Sequence, residues 1–131
     1  MSRENHAHVL IVDDEEHSSL LIESVIRRHF SNIKKIIAAK TVKDAIHALE
    51  VNNIDLVFLD IELRGESGFT LLDKIKDRTF EFICLSASKD YAFKVFEYGG
   101  AGYLLKPVNV PELERAFSRI FLKRRHANDA L

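Results

Sequence analysis

Two adjacent aspartates, a third aspartate, a serine and a lysine each come directly after a short apolar run of this 131-residue sequence. They are Asp13 with Asp14, Asp60, Ser86 and Lys106. Carboxylates bind hard divalent cations, and Mg²⁺ typically takes one or two of them and keeps waters that a phosphate can displace. Beside such an ion, one carboxylate can attack a phosphoryl group, while a hydroxyl and an ammonium group stabilise the transferring oxygens. These residue types therefore indicate Mg²⁺-assisted phosphoryl transfer, provided that the fold brings them together.

The apolar runs before these residues are short and rich in β-branched and aromatic side chains, which is typical of strands buried on both faces. Between the runs, apolar residues recur at helical spacing, as in Leu21, Ile22 and Val25. This alternation predicts a doubly wound α/β fold, with a five-stranded parallel sheet, helices on both faces and right-handed crossovers. A loop containing Gly65 and Gly68 is expected after the third strand. The predicted strands are His8–Val12, Ile33–Ala39, Leu56–Leu59, Phe82–Leu85 and Tyr103–Leu105.

The carboxyl ends of parallel strands share one edge of the sheet, and open α/β sheets bind their ligands at that edge. Three carboxylates placed there would repel one another, which raises their pKa values unless a cation intervenes. Asp13 and Asp14 are adjacent and can act together as a metal clamp. Asp60 follows the central strand, between that clamp and the side that carries Ser86 and Lys106, so we predict that Asp60 is the nucleophile. This hypothesis requires its carboxylate to face solvent.

The composition fits a single domain over residues 1–131, with a core at about 8–125 and a tail at 126–131. Apolar residues make up 47% and charged residues 30%, as in ordinary globular proteins. A net charge of −1 gives no electrostatic reason to expect nucleic acid or an anionic membrane as a partner. Cys84 lies in an apolar run and is predicted to be buried. The sequence shows neither a membrane-length apolar run nor a signal peptide, so we expect a cytoplasmic protein.

The pattern as a whole resembles the receiver domain of bacterial two-component response regulators. The matching features are the acidic pair after strand one, Asp60 after strand three, Ser86 after strand four and Lys106-Pro107 after strand five. The likeness covers residues 8–125 and implies a flavodoxin-like sheet with the strand order 2-1-3-4-5. Residues 90–99, DYAFKVFEYG, followed by YLLKP at 103–107, further resemble the LytTR-class subgroup.

The resemblance implies that Asp60 accepts a phosphoryl group from a sensor histidine kinase or from a small phosphodonor. It implies that Asp14 binds Mg²⁺ directly, that Asp13 acts partly through water, and that the main-chain carbonyl of Glu62 is a further ligand. The Glu62 side chain is expected next to the site, where it would influence how fast water reaches a phosphoaspartate.

The resemblance also implies a conformational switch. Ser86 and Lys106 would contact the phosphate, Ser86 would move toward it, and Tyr103 would swing into the space that Ser86 leaves. The Lys106–Pro107 bond would be cis, as in the family. The face formed by helix four, strand five and helix five would then form a homodimer or dock a partner.

Three features depart from the family pattern. LytTR-class regulators normally carry a DNA-binding domain after the receiver, whereas this chain stops at Leu131, as expected of a stand-alone receiver or of an excised one. Arg64 stands where proline is frequent, and the stretch 100–102 replaces larger residues, so the loops after Asp60 and before strand five are expected to differ from those of the family.

We expect a signalling switch that catalyses its own phosphotransfer and dephosphorylation, not an enzyme that turns over an external substrate. An alternative is a Mg²⁺-dependent phosphatase with an aspartyl nucleophile. Such enzymes of the haloacid dehalogenase type carry Asp-x-Asp after strand one, where this chain has Asp13-Asp14. A third interpretation, a pseudo-receiver that only binds partners, is disfavoured because every expected acidic, hydroxyl and lysine position is filled.

Overall fold

The structure, a computed structural model, describes residues 7–129, with side chains for residues 7–120. Within these residues, seven strands and five α-helices follow one another along the chain. The strands are β1 (Ala7–Val12), β2 (Ile33–Ala39), β3 (Leu56–Asp60), β4 (Glu62–Leu63), β5 (Glu66–Ser67), β6 (Glu81–Ser86) and β7 (Gly102–Leu105). The helices are α1 (Glu16–His29), α2 (Val42–Val51), α3 (Gly68–Lys74), α4 (Ala92–Glu97) and α5 (Val110–Asp129), and a 3₁₀ turn at Lys89–Tyr91 precedes α4.

Five strands form one parallel sheet in the order β2-β1-β3-β6-β7, which confirms the predicted doubly wound topology. The register pairs Asp60 with Leu85 and Ser86 with Leu105, so the ends of the three neighbouring strands lie level with one another. The main-chain N–H of Lys106 donates to the carbonyl of Ser86 at 2.8 Å and extends this alignment by one residue. The sheet therefore delivers all three polar residues to a single edge.

The sheet is covered on both faces, since alternate strand side chains point in opposite directions. In β3, Leu56 and Phe58 pack with α1 and α5, whereas Val57 and Leu59 pack with α2 and α3. All five residues of β3 are buried. Cys84 lies in the second of these clusters, as predicted, and burial raises the pKa of its thiol above the ordinary value, which keeps it protonated.

Two segments differ from the sequence-based expectation. The predicted loop after β3 contains a short antiparallel hairpin of β4 and β5, whose turn includes Gly65 at a φ of 77°. At the other end of the chain, the backbone of α5 is helical to Asp129, within the segment 126–131 that the sequence analysis assigns to a tail. Residues 130–131 lie outside the described part of the chain.

The Lys106–Pro107 peptide bond is cis, as the resemblance implies. No helix formed by residues 7–129 combines the length and the apolar character needed to span a membrane.

Gly68, the first residue of α3, approaches the backbone that follows β3. A Cβ atom on Gly68 would lie 2.4 Å from the main-chain oxygen of Asp60, and the N–H of Gly68 donates to the carbonyl of Ile61 at 2.8 Å. We expect Gly68→Ala to lower the free energy of unfolding by about 1–3 kcal/mol, because the strand end cannot move aside without strain. Urea denaturation measures this loss.

Gly102→Ala is the matched control, because a Cβ atom there would meet the Ile83 side chain at an ordinary 3.4 Å. We expect its stability to stay close to that of the wild type. Equal stabilities of the two variants would show that the backbone around Asp60 is free to give way.

Candidate functional site

The ammonium group of Lys106, which directly follows β7, lies at the centre of the polar cluster. Its Nζ atom is 2.9 Å from Asp60 Oδ2, 3.0 Å from Asp13 Oδ2 and 2.6 Å from Glu15 Oε1. Three carboxylates from two strand ends and the start of α1 thus share one cation. The predicted convergence of Asp13, Asp60 and Lys106 at one sheet edge is present in the structure.

Burial sets the charge state of this cluster. Asp13 and Asp60 are each only 1% exposed. Burial raises the pKa of Asp60 from 3.8 to about 6, the hydrogen bond from Lys106 opposes the rise, and the charge of Asp13 adds to it. Burial acts in the opposite sense on Lys106, but its hydrogen bonds to Glu15, Asp60 and Asp13 outweigh it, so the pKa of Lys106 lies above its usual value and the ammonium stays charged.

Ser86 is fully buried, and its hydroxyl donates a hydrogen bond to the Glu62 carboxylate. Glu62 Oε2 is 2.7 Å from Ser86 Oγ, and Glu62 Oε1 accepts the N–H of Ala87 at 3.1 Å. The N–H of Glu62 in turn donates to Asp60 Oδ1 at 2.9 Å. The Glu62 side chain, which was expected next to the site, therefore contacts Ser86, and the Glu62 main chain contacts the predicted nucleophile Asp60.

Two hydrogen bonds hold the hairpin of β4 and β5 in place, one to Asp14 and one to the start of α2. The N–H of Arg64 donates to Asp14 Oδ2 at 2.7 Å, and the N–H of Val42 at the start of α2 donates to Glu66 Oε2 at 3.0 Å. Asp14, the second member of the acidic pair, thus uses one oxygen to hold the hairpin that carries Glu62. The hairpin is a fixed wall of the site.

The carboxylates fit a hard cation. One oxygen each from Asp13, Glu15 and Asp60 lies within 4.8 Å of the others. Asp13 Oδ2 is buried and, among the described residues, accepts no hydrogen bond of normal geometry, although Lys106 Nζ lies 3.0 Å away. A buried anionic oxygen without a proper donor is what a metal ion would satisfy. Sequence reasoning missed Glu15, because it took only the adjacent pair Asp13 and Asp14 as the metal clamp.

Asp60 lines a surface depression of about 360 Å³. The predicted nucleophile is nevertheless almost wholly covered, whereas the sequence hypothesis expects it to face solvent. Asp60 Oδ2 accepts a hydrogen bond from the Lys106 ammonium, and Asp60 Oδ1 accepts one from the main-chain N–H of Glu62. An incoming group therefore has to compete with the Lys106 side chain for Oδ2 and with the Glu62 main-chain N–H for Oδ1. The depression is lined by Asp14, Glu15, Asp60, Glu62, Arg64, Ala87 and Lys106.

Tyr103, the predicted switch residue, is half-buried on β7 and packs against the core. Its hydroxyl donates to the main-chain carbonyl of Ser88, in the loop that leaves β6. The Tyr103 side chain is therefore held by the loop that directly follows Ser86.

Comparison with known proteins adds to this geometry. Residues 9–118 match the response regulator receiver domain family. A sensory transduction protein named LytR from Staphylococcus epidermidis is 32% identical over 113 residues, which are 85% of this chain and 44% of that protein. The transcriptional regulatory protein YvrH of Bacillus subtilis is 33% identical over 122 residues, which are 91% of this chain and 50% of that protein. The chain thus spans about half the length of these relatives.

A solved structure gives the same fold. The CheY-like response regulator receiver domain protein from Methanospirillum hungatei superposes with a TM-score of 0.78 at 25% identity, over 92% of this chain and 98% of that one. The relatives named LytR agree with the resemblance to LytTR-class regulators.

The raised pKa of Asp60 predicts how stability depends on pH in a buffer with a chelator. The folded state binds the Asp60 proton more tightly than the unfolded state does, so the contribution of this carboxyl to stability falls as the pH rises from about 4 to about 6. Asp60→Asn carries no charge to bury. We expect it to raise the free energy of unfolding by about 1–2 kcal/mol at pH 8, with no gain at pH 4.

Chemical denaturation at several pH values checks this prediction. Asp44→Asn is the control, because Asp44 is an exposed residue of α2 and its substitution should give a difference that does not change between pH 5 and 8. An Asp60→Asn protein less stable than the wild type at pH 8 would mean that pairing with Lys106 outweighs burial.

Proposed function

The chain belongs to the response regulator receiver domain family of two-component systems, and from this premise we propose that Asp60 is its phosphoryl acceptor. Response regulators partner with histidine kinases, so the proposed donor is a phosphohistidine of a sensor kinase. The observation that carries the proposal is the shared contact of Lys106 with Asp60 and Asp13, beside the Ser86 hydroxyl at the end of the next strand. Asp60 contacts the Lys106 ammonium, shares it with Asp13, and pairs in the sheet with Leu85, the residue before Ser86.

In the proposed reaction, an Asp60 carboxylate oxygen attacks phosphorus while the bond from phosphorus to the donor imidazole breaks. The imidazole takes up a proton, and the product is a phosphoaspartate. Mg²⁺, when bound, supplies positive charge against the phosphoryl oxygens, and Asp13, Asp14, Asp60 and the Glu62 carbonyl would hold it. Glu15 joins this carboxylate group in the structure.

Lys106 and Ser86 act on the phosphoryl oxygens. The Lys106 ammonium already forms an ion pair with Asp60, and it would stabilise the negative charge on the phosphoryl oxygens during transfer. The Ser86 hydroxyl supplies a neutral donor on the β6 side. Because Ser86 ends β6 and Lys106 follows β7, movement of side chains and of the following loop brings both groups to the phosphoryl oxygens while the sheet keeps its pairing.

We propose further that the protein is a switch that catalyses only its own phosphorylation and dephosphorylation. It is not an enzyme that turns over an external phosphate ester. The site takes its nucleophile, donors and carboxylates from the same sheet edge, and the phosphoaspartate is the signalling state. Phosphorylation then acts through local charge and hydrogen bonding on Ser86 and Tyr103.

Intact mass spectrometry after incubation with acetyl phosphate and Mg²⁺ tests the acceptor. We expect one phosphoryl adduct per wild-type chain and none for Asp60→Asn, because an amide oxygen is a poor nucleophile. Asp44→Asn should be labelled like the wild type. An adduct that persists in Asp60→Asn would reject Asp60 as the acceptor, and steady release of phosphate from a chromogenic ester would favour a phosphatase.

The proposed output surface is the face of α4, β7 and α5. Val95 buries the inner side of α4, and Lys94 Nζ lies 4.2 Å from the centre of the Phe69 ring. Phe93 and Phe96 consequently point outward, and they are 71% and 74% exposed. Such large exposed aromatic side chains on one short helix are typical of an interaction surface. We propose that a second copy of this chain covers them in the phosphorylated state.

Light scattering of the phosphorylated protein tests this surface. We expect acetyl phosphate to shift the wild type toward a dimer, and Phe96→Glu to weaken that dimer at least about tenfold, because it puts a charge in an apolar contact. Leu20→Glu, which changes another exposed apolar residue, on α1, should dimerise like the wild type. Loss of the dimer in Leu20→Glu alone would move the contact to α1.

A further inference from the structure

Glu62 holds both hydrogen-bond donors on the β6 side of Asp60. Its carboxylate accepts the Ser86 hydroxyl with one oxygen and the Ala87 N–H with the other. Two donors converging on one anionic group from a strand end and the following residue form a small anion-binding pocket. In the resting protein, the occupant of this pocket is the chain's own carboxylate.

The position of Glu62 makes this contact a competitor for the phosphoryl group. Glu62 is two residues from Asp60, and its N–H anchors Asp60 Oδ1 at 2.9 Å. The hairpin that carries it is pinned by Asp14 at Arg64 and by Glu66 at the start of α2. Glu62 is therefore delivered to the pocket by a fixed backbone, although its side chain is exposed and can rotate away into solvent.

A phosphoryl group on Asp60 needs the same donors. Like a carboxylate, it presents anionic oxygens that accept hydrogen bonds from a hydroxyl and a main-chain N–H. Ser86 is fully buried and has one hydroxyl proton, so it cannot donate to Glu62 and to the phosphoryl group at once. One anion must leave before the other binds.

We propose that Glu62 is a built-in occupant of the phosphoryl pocket, which holds Ser86 and Ala87 in the resting arrangement and which the phosphoryl group must displace. This inference rests on the proposed function of Asp60 as acceptor. Removing the Glu62 charge lowers the cost of displacement, so the pocket takes a phosphoryl group or its analogue more readily. Glu62 is thus a positioning residue that sets the threshold of the switch.

The test measures binding of beryllofluoride with Mg²⁺, an analogue of the phosphoryl group, by titration followed with nuclear magnetic resonance. We expect Glu62→Gln and Glu62→Ala to bind it about fivefold more tightly than the wild type, because no carboxylate competes for the donors. Glu66→Gln is the matched control. It removes the same charge from the same hairpin, but the Gln amide oxygen can still accept the Val42 N–H, so the hairpin stays in place and the affinity should equal that of the wild type.

A second measurement needs neither metal nor analogue. In the free protein, the Ala87 amide proton should move upfield in Glu62→Gln and Glu62→Ala, since it loses a charged acceptor, and should stay in place in Glu66→Gln. Unchanged affinity together with an unmoved Ala87 amide would overturn the inference while leaving Asp60 as the acceptor. Equal binding of the analogue by Asp60→Asn and wild type would instead reject the proposed function, and the inference with it.

Discussion

The shared ammonium group of Lys106 is the interaction on which the site depends. Carboxylates from Asp13 and Asp60 are held against each other by the strand pairing of β1 with β3, and neither can retreat into solvent. Without a cation, two buried negative charges at this distance would destabilise the fold. Lys106 supplies that cation in the resting protein, and its Nζ atom also contacts Glu15 Oε1 at 2.6 Å. The same lysine is the group that a phosphoryl oxygen needs.

The cluster is possible only because β3 is locked by the core. Every residue of this strand is buried, with apolar side chains packed alternately on the two faces of the sheet. The burial that keeps Asp60 in place also raises its pKa to about 6, so the ionised carboxylate carries an electrostatic cost that a bound metal ion would relieve. Packing energy from the two core layers offsets this cost. Asp60, the proposed acceptor, is thus an energetically unfavourable residue that a well-packed strand holds in place.

The sequence predicts the strand ends well and the loops poorly. Asp60, Ser86 and Lys106 each follow a continuous apolar run, and parallel pairing leaves one place for such residues, so their convergence follows from strand position alone. The hydrogen bonds of Glu62 and Glu15 depend on the path of the hairpin after β3 and on the first turn before α1. Those paths are set by contacts between residues far apart in sequence, such as Arg64 with Asp14, which no periodic pattern encodes. The burial of Asp60 was not predicted either, because it depends on contacts with residues far along the chain, such as Lys106.

Ser88 shows how an event at Ser86 can reach the surface of α4. Its N–H donates to Ser86 Oγ at 3.0 Å, its carbonyl accepts the Tyr103 hydroxyl, and its own Oγ accepts the N–H of Asp90 in the 3₁₀ turn before α4. Ser88 therefore connects Ser86, the proposed hydrogen-bond donor to the phosphoryl group, with Tyr103 and with the 3₁₀ turn before α4. If Ser86 exchanges Glu62 for a phosphoryl oxygen, the acceptor of the Ser88 N–H moves, and the two other contacts of Ser88 must adjust. This chain of contacts is the physical basis for the proposal that the α4 face responds to events at Ser86.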